Sequence, residues 1–107
     1  MSKLYYSPEA KNDLIEIKEY IETELHSPAA AVSTIKNIMQ RTQMLKQFPE
    51  MGAMLSTIVK IDTDYRFLVC ENYIAFYRAE SSAIYIDRVI YGKRDYISIL
   101  FGELPQE

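Results

Sequence analysis

The strongest constraint on the fold is a pair of helix-start signals in the first half of the chain. Ser7-Pro8 and Ser27-Pro28 each place a serine, a good N-cap residue, before a proline at the first helical position. The second helix should end before Phe48-Pro49, because proline disfavours a helical conformation in the residue before it. The short connection between the two helices predicts an antiparallel hairpin. Residues at helical spacing mark the predicted buried faces, Ala10, Leu14, Ile17, Ile21 and Leu25 on the first helix and Val32, Ile35, Met39, Thr42 and Leu45 on the second.

The second half of the chain carries three runs with strand character, at residues 65–70, 73–79 and 83–90. Short turn-forming segments, residues 71–72 and 80–82, separate them, and this spacing predicts an antiparallel meander. The apolar faces of the two helices need a surface to pack against, and the meander provides it.

The remaining segments complete a single domain over residues 1–107, a length that supports one hydrophobic core. Residues 3–6 are a short strand candidate, and residues 49–60 are predicted to be an irregular connection with Gly52 as a turn residue. Residues 97–101 indicate a short terminal helix or a docked tail. The sequence therefore predicts an α+β domain in which an N-terminal strand and a helical hairpin pack on a small antiparallel sheet.

The composition argues against several kinds of site. Cys70 is the single cysteine, so an internal disulfide and a cysteine-based zinc site are excluded, and its apolar neighbours predict a buried thiol. His26 lies in the helix connection as a surface residue, and the carboxylates have no ligand spacing, so we expect no metal and no cofactor. No apolar run approaches the ~18 residues of a membrane span, and no signal peptide is recognisable. These features predict a cytoplasmic protein with no membrane partner.

The charge distribution leaves room for one local basic site. The net charge is −3, whereas phosphate binding usually leaves a basic footprint on a protein. Most of the acidic excess falls on residues 9–24, within the first predicted helix. The cations of the second half are Lys60, Arg66, Arg78, Arg88, Lys93 and Arg94.

Residues 88–96, Arg-Val-Ile-Tyr-Gly-Lys-Arg-Asp-Tyr, concentrate the chemistry of this chain. They follow an alternating apolar segment, so the cations and tyrosines lie where a strand ends. Arginine holds a phosphate by two hydrogen bonds and lysine holds it as a point charge. Tyrosine offers a hydroxyl for proton transfer or a ring for base stacking.

Four sequence blocks, in this order and in a chain of this length, resemble the RelE/ParE toxin superfamily, and the resemblance covers nearly the whole chain. The blocks are Tyr-Ser-Pro-Glu-Ala at 6–10, Phe-Pro-Glu-Met-Gly at 48–52, Ile-Ala-Phe-Tyr-Arg at 74–78, and the segment at 88–96. The resemblance implies a growth-arresting toxin of a type II toxin–antitoxin system, neutralised by a cognate antitoxin protein.

The two branches of this superfamily imply different activities. Members of the RelE branch enter the ribosome and cut mRNA without a metal, by attack of the ribose 2′-hydroxyl on the adjacent phosphate. Members of the ParE branch share the fold, poison DNA gyrase, and lack the catalytic set. A metal-independent, ribosome-dependent mRNA endonuclease is our first hypothesis. A gyrase poison is the alternative, and a degenerate member kept for antitoxin binding is a third.

The RelE resemblance also implies site residues. Gly92-Lys93-Arg94 is similar to the Gly-Lys-Arg of that branch, which makes Arg94 the cation that stabilises the scissile phosphate. Arg88, Arg66 and Lys93 would surround the same phosphate, and Tyr91 or Tyr96 would transfer a proton. The chain differs from that branch in having few lysines between residues 48 and 66, an acidic composition, and leucine where a terminal catalytic tyrosine is expected.

A structural role competes with each of these assignments. Arg66, Arg78 and Arg88 fall in phase with apolar residues of their strands, so each either lines a concave site or forms an ion pair. Asp62, Asp64 and Asp87 are the candidate partners. Tyr73, Tyr77 and Tyr85 are expected to be core residues or to face the antitoxin rather than to stack on bases.

Overall fold

The computed structural model of the protein describes residues 2–102, which form two helical layers on a central sheet. In chain order the elements are β1 (Lys3–Tyr6), α1 (Pro8–Thr23), α2 (Pro28–Gln43), β2 (Ala53–Met54), β3 (Arg66–Cys70), β4 (Tyr73–Glu80), β5 (Ala83–Tyr91) and α3 (Tyr96–Phe101). Short 3₁₀ turns at Met44–Lys46 and Leu55–Thr57 flank β2. The predicted α+β class, helical hairpin and three-strand meander are confirmed.

Both helices of the hairpin begin as the sequence predicts. The Ser7 hydroxyl accepts a hydrogen bond from the amide of Ala10 at 2.9 Å, and the Ser27 hydroxyl accepts one from Ala30 at 3.3 Å. Each serine satisfies one amide that the first helical turn leaves without a partner. The two caps fix where the helices start, and so which residues face the sheet.

The sheet has five strands in the order β1-β5-β4-β3-β2, and it is mixed rather than wholly antiparallel. β1 pairs with β5 in parallel, while the other neighbours are antiparallel. Residues 49–60, predicted to be irregular, contain β2 and one of the 3₁₀ turns. The meander of β3, β4 and β5 is antiparallel as predicted, whereas the parallel direction of β1 was not specified, because the local pattern of a short strand carries no information on its distant partner.

The hairpin packs on one face of the sheet. Of the buried face predicted for the second helix, Thr42 and Leu45 are buried and Ile35 packs against the core, but the other two positions were wrong. Ala31 and Ile38 are fully buried, whereas Val32 and Met39 are 58% and 40% exposed. Both sets fit helical spacing, and the small side chain of Ala31 fits the closer position between the helices. Leu25 was also misplaced, because α1 ends at Thr23 and Leu25 is 57% exposed.

A second apolar cluster forms on the opposite face of the sheet. Leu55, Phe76 and Ile90 are buried there under α3 and the loop that precedes β3. Residues Tyr96–Phe101 form a helix, as one of the two sequence alternatives predicted. The sheet is therefore covered on one face by the hairpin and on part of the other by α3.

A β-bulge in β5 sets the phase of its last residues. Consecutive residues of β4 lie opposite Arg88 and Ile86, so Asp87 is an extra residue in the ladder. Ile84 and Ile86 belong to the core under the hairpin, and Val89, three residues on, continues that row. The expectation that Arg88 shares the phase of Ile84 and Ile86 was therefore wrong.

Cys70 lies in the core with 1% of its surface exposed, as predicted. Burial raises the pKa of its thiol to about 11, so almost no nucleophilic thiolate forms near neutral pH. Within residues 2–102, no helix is both long and apolar enough to cross a membrane.

Gly52 allows the connection before β3 to pass directly over Tyr77. The buried hydroxyl of Tyr77 donates to the carbonyl of Pro49 at 2.8 Å and accepts from the amide of Gly52 at 3.0 Å. A Cβ atom at position 52 would lie 2.6 Å from the carbonyl oxygen of Phe67 and 2.7 Å from the Tyr77 hydroxyl. These contacts leave no space for any side chain.

Gly52→Ala is expected to lower the free energy of unfolding by about 1–3 kcal/mol, because the added methyl group overpacks a buried contact. Urea unfolding of the purified protein measures this change. Gly92→Ala is the matched control, since its Cβ would lie 3.4 Å from its nearest neighbour, the carbonyl of Asn72. Equal stability of the two variants would contradict the close packing at position 52.

Candidate functional site

The segment at 88–96 forms the end of β5 and a tight turn into α3. Gly92 donates its amide to the carbonyl of Asn72 at 2.9 Å, and Arg94 donates its amide to the carbonyl of Tyr91 at 2.9 Å. Asp95 then caps α3, accepting from the amide of Ser98 at 3.3 Å and from its hydroxyl at 2.8 Å. These hydrogen bonds lower the pKa of the Asp95 carboxyl. The turn is thus held at both ends, while Lys93 and Arg94 remain exposed.

A groove of about 610 Å³ lies beside this turn, between α1 and the end of the sheet. Tyr91 and Arg94 enter it from the end of β5, and Tyr73 enters it from the start of β4. On the other side α1 contributes Glu16 and Tyr20. The groove therefore combines an aromatic lining with one cation, Arg94, and two carboxylates, Glu16 and Asp13.

Three tyrosines, Tyr20, Tyr73 and Tyr91, line the groove. The rings of Tyr73 and Tyr91 meet edge to face with centroids 5.7 Å apart. Burial raises the pKa of Tyr73, and the neighbouring Tyr91 and Tyr20 raise it further. Tyr73 therefore keeps its proton at neutral pH and is suited to donate a hydrogen bond or pack against a ligand, not to act as a base.

Asp13 forms the base of the groove and is tied to β5 by three hydrogen bonds. It accepts from the guanidinium of Arg88 at 2.8 and 2.9 Å and from the amide of Val89 at 2.9 Å. Asp13 is buried, and the hydrogen-bonded carboxylate raises the pKa of Arg88. Arg88 is thus held in a two-pronged ion pair with α1, and the carboxylate occupies the donors that a phosphate would need.

Arg66 lies at the opposite end of β3 from the groove. The row of paired residues that contains Tyr91 crosses β4 and reaches β3 at Cys70. Arg66 lies four residues earlier in that strand, a distance of about 13 Å at ~3.3 Å per residue. Its guanidinium donates to the carbonyl of Gly52 at 2.9 Å. The structure therefore does not bring Arg66 into the groove.

The two remaining predicted residues, Tyr96 and Lys93, lie in different environments. Tyr96 packs against Phe76 in the cluster under α3, with ring centroids 5.2 Å apart. Lys93 is exposed in the turn beside Arg94. Of the six candidate residues, Tyr91 and Arg94 line the groove, Lys93 and Arg88 adjoin it, and Arg66 and Tyr96 lie elsewhere.

Arg78 forms one of the ion pairs that the sequence allows. Its guanidinium contacts Asp87 at 2.7 Å and the exposed Glu80 at 2.7 Å, and it lies over the ring of Tyr85, 5.2 Å from the centroid. The bulge residue Asp87 thus anchors Arg78, as the alternative structural assignment for this arginine predicted.

Sequence reasoning missed the α1 wall of the groove. Asp13 was assigned to the general acidity of the first helix, although it lies three residues after Ala10 and four before Ile17, both buried. That spacing puts a carboxylate in the apolar stripe, where it needs a partner. Tyr20 carried no such signal, because it is an exposed tyrosine outside the apolar stripe that contains Ile17 and Ile21.

A family model described as the ParE toxin of the type II toxin–antitoxin system parDE matches residues 4–96. The chain belongs to the ParE toxin family. It is therefore a type II toxin, and the predicted membership of the RelE/ParE superfamily is confirmed.

The toxin is also similar to solved structures. A chain of the chromosomal ParDE toxin–antitoxin system from P. aeruginosa has a TM-score of 0.71 at 25% identity, covering 85% of this chain and 96% of that one. YafQ from E. coli strain BL21(DE3) has a TM-score of 0.55 at 15% identity, covering 95% and 100%, and shares the fold. No sequence among the curated proteins matches significantly.

Asp13→Asn is expected to destabilise the toxin by about 1–3 kcal/mol, because Arg88 then lacks a counter-charge in a largely buried place. Thermal or urea unfolding measures the loss. Glu80→Gln removes a partner of Arg78 that is 57% exposed, so it should change stability by less than about 1 kcal/mol.

The double variant Asp13→Asn/Arg88→Met should recover part of that stability, since it removes the unpaired charge. A double variant no more stable than Asp13→Asn would contradict the pairing as the source of the effect.

Proposed function

We propose that this toxin acts in the cytoplasm by binding DNA gyrase, and that it catalyses no RNA cleavage. The observation that carries the proposal is the ion pair between Arg88 and Asp13. A scissile phosphate needs several free cations around it, and a buried carboxylate holds one of the four candidates, Arg88, at 2.8 and 2.9 Å. The match to the ParE family supports the same branch.

The positions of the other cations support a binding role. Arg66 is committed to a backbone carbonyl at the far end of β3, which leaves Arg94 and its neighbour Lys93 near the groove. Two cations in a chain of net charge −3 form a small basic site. Such a site contributes less to nucleic-acid affinity than the extended phosphate contacts on which that affinity depends.

The lining of the groove has the composition of a protein-binding site. Tyr20 and Tyr91 are 54% and 38% exposed, and Arg94 is exposed beside them. Tyrosine and arginine dominate the residues that supply most of the binding energy at protein interfaces. The mixture of carboxylates, one guanidinium and apolar ring surface gives such a partner both affinity and register.

Ribosome-dependent cleavage of mRNA remains the second candidate, favoured by the presence of Tyr91 and Arg94 in one groove. In that mechanism Arg94 and Lys93 would bind the phosphate, and Tyr91 would transfer a proton. Lysine should then replace Arg94 poorly, because a point charge cannot reproduce a two-pronged hydrogen bond to phosphate.

Two assays run on the same purified toxin separate these functions. In the first, gyrase supercoils a relaxed plasmid in the presence of the toxin; in the second, primer extension maps cuts in translated mRNA. We expect inhibited supercoiling or cleaved plasmid with intact mRNA. Discrete cuts inside reading frames with normal supercoiling would overturn the gyrase proposal.

Tyr91→Ala and Arg94→Ala should each weaken gyrase inhibition by about 30-fold or more, the effect of removing a central interface residue. The matched control is Lys60→Ala, which removes an exposed cation from the loop before β3. Circular dichroism and antitoxin binding should be unchanged in all three variants. Full inhibition by both groove variants would place the gyrase contact on another surface.

For the cognate antitoxin we propose a separate site on the hairpin. A groove of about 580 Å³ between α1 and α2 exposes Val32 and Met39, with Lys18 and Lys36 among its lining residues. These two apolar side chains, left outside the core by the phase of α2, supply apolar surface that a partner can bury. An amphipathic antitoxin helix with acidic residues at its edges fits this arrangement.

Val32→Asp should weaken antitoxin binding by about 30-fold or more, because it places a charge within the apolar contact. Isothermal titration of each variant with the purified cognate antitoxin measures the affinity. Ile15→Asp is the control, since Ile15 is 55% exposed on α1 and lies outside the groove. Equal affinity of the two variants would exclude the hairpin as the antitoxin site.

A further inference from the structure

The α1 side of the groove carries more negative charge than its guanidinium partner neutralises. The hydrogen bonds to Asp13 raise the pKa of Arg88 most, and the nearby carboxylates of Glu9 and Glu16 raise it further. In the described part of the chain, neither Glu9 nor Glu16 forms a salt bridge. Glu16 lines the groove, is exposed, and accepts one hydrogen bond, from the side-chain amide of Asn12 at 3.1 Å. Its carboxylate therefore has acceptor positions left for a cationic ligand.

Three tyrosine rings converge beside this carboxylate. Tyr73 and Tyr91 meet edge to face at the end of the sheet, and Tyr20 approaches them from α1. Burial raises the pKa of Tyr73, and the proximity of Tyr91 and Tyr20 raises it further, so the three phenol groups lie near one another. The face of an aromatic ring carries partial negative charge and attracts a cation. Tyr20 and Tyr91 are 54% and 38% exposed, which leaves their rings accessible to a ligand.

The base of the groove is apolar around Asp13. Ile17, Val89 and Ile90 line it, and all three side chains are buried in the fold. A long cationic side chain covers surface of this kind with its methylene stem while its charged head reaches a polar group. The groove thus combines an apolar base, tyrosine rings and an exposed carboxylate within one lining.

We propose that the groove binds the side chain of an arginine on a basic segment of the protein target. This inference rests on the function proposed above and names the chemistry of the contact. The methylene stem of the ligand lies on Ile17 and Val89, and its guanidinium lies against the tyrosine rings and donates to Glu16. Arg94, which enters the groove from the side opposite α1, donates to backbone carbonyls of the same segment.

Charge complementarity selects arginine over the other candidate ligands. A phosphate or a carboxylate would lie close to Glu16, Asp13 and Glu9, whose negative charge repels it. Lysine carries a compact, strongly hydrated charge with three donors. A guanidinium is planar and more weakly hydrated, so it stacks on an aromatic ring while it donates two hydrogen bonds to a carboxylate.

NMR titration of the isotopically labelled full-length toxin with N-acetylargininamide tests the site without gyrase. The matched probe is N-acetylcitrullinamide, which has nearly the same shape and no charge. The backbone amide signals of Glu16, Tyr73 and Tyr91 should shift with the arginine probe. The citrulline probe should bind about fivefold more weakly or worse, because it lacks the charged contact. Equal binding of the two probes, or the absence of shifts at these residues, would overturn the proposal.

Glu16→Gln tests the carboxylate that receives the guanidinium. It should weaken both binding of the arginine probe and inhibition of gyrase supercoiling by about fivefold or more. The matched control is Glu19→Gln, which removes an exposed carboxylate of α1 outside the groove and should change neither. Circular dichroism should be the same for both variants and the wild type.

The two assays separate this inference from the proposed function. Selective binding of the arginine probe by a toxin that does not inhibit gyrase would support the arginine site and overturn gyrase as the target. Inhibition of gyrase by Glu16→Gln at wild-type strength would overturn the arginine site and leave gyrase as the target.

Discussion

The buried carboxylate of Asp13 is the contact on which the arrangement of this toxin depends. It joins the first helix to the last strand at the position where β5 carries an extra residue, and it accepts both from Arg88 and from the amide of Val89. A carboxylate with this little exposure is tolerated because all three bonds are present. The bulge shifts the alternation of β5, so that the side chain of Val89 lies in the core. The ion pair between Asp13 and Arg88 fixes α1 beside this part of the strand.

The ion pair between Asp13 and Arg88 also separates Arg88 from the other residues of the predicted site. A strand with uninterrupted alternation would have carried Arg88 in the row of Ile84 and Ile86, as the sequence suggested. With the bulge, Arg88 instead pairs with the carboxylate of Asp13. The turn that follows β5 places Arg94 in the lining of the tyrosine-lined groove. The ion pair is therefore the basis of our proposal that this surface binds a protein target rather than a scissile phosphate.

The parts of the fold that follow from local chemistry were predictable, and the parts that depend on distant partners were not. Serine caps and helical spacing located both helices, and turn residues located the meander. The direction of β1, the two residues of β2 and the bulge at Asp87 are set by strands far away in sequence. In α2 two overlapping apolar stripes fit the same periodicity, and packing against α1 selected the one that contains Ala31. Within the candidate site, residues 91–94 were recognised from their position at the end of a strand. Asp13 and Tyr20 were missed because they lie on α1, and the sequence does not specify which part of the sheet α1 packs against.

The exposed apolar side chains lie on separate parts of this small domain. Val32 and Met39 are exposed on the hairpin because of the phase of α2, and Tyr91 is exposed at the end of β5. The two proposed surfaces, on the hairpin and at the end of the sheet, share no lining residues, so a partner on one leaves the side chains of the other in place. If the target binds at Tyr91, an antitoxin helix on the hairpin would neutralise the toxin in one of two ways. The antitoxin chain would extend from the hairpin into the Tyr91 groove, or the bound antitoxin would sterically block the target. In either case, binding at the hairpin alone would leave Tyr91 and Arg94 chemically unchanged.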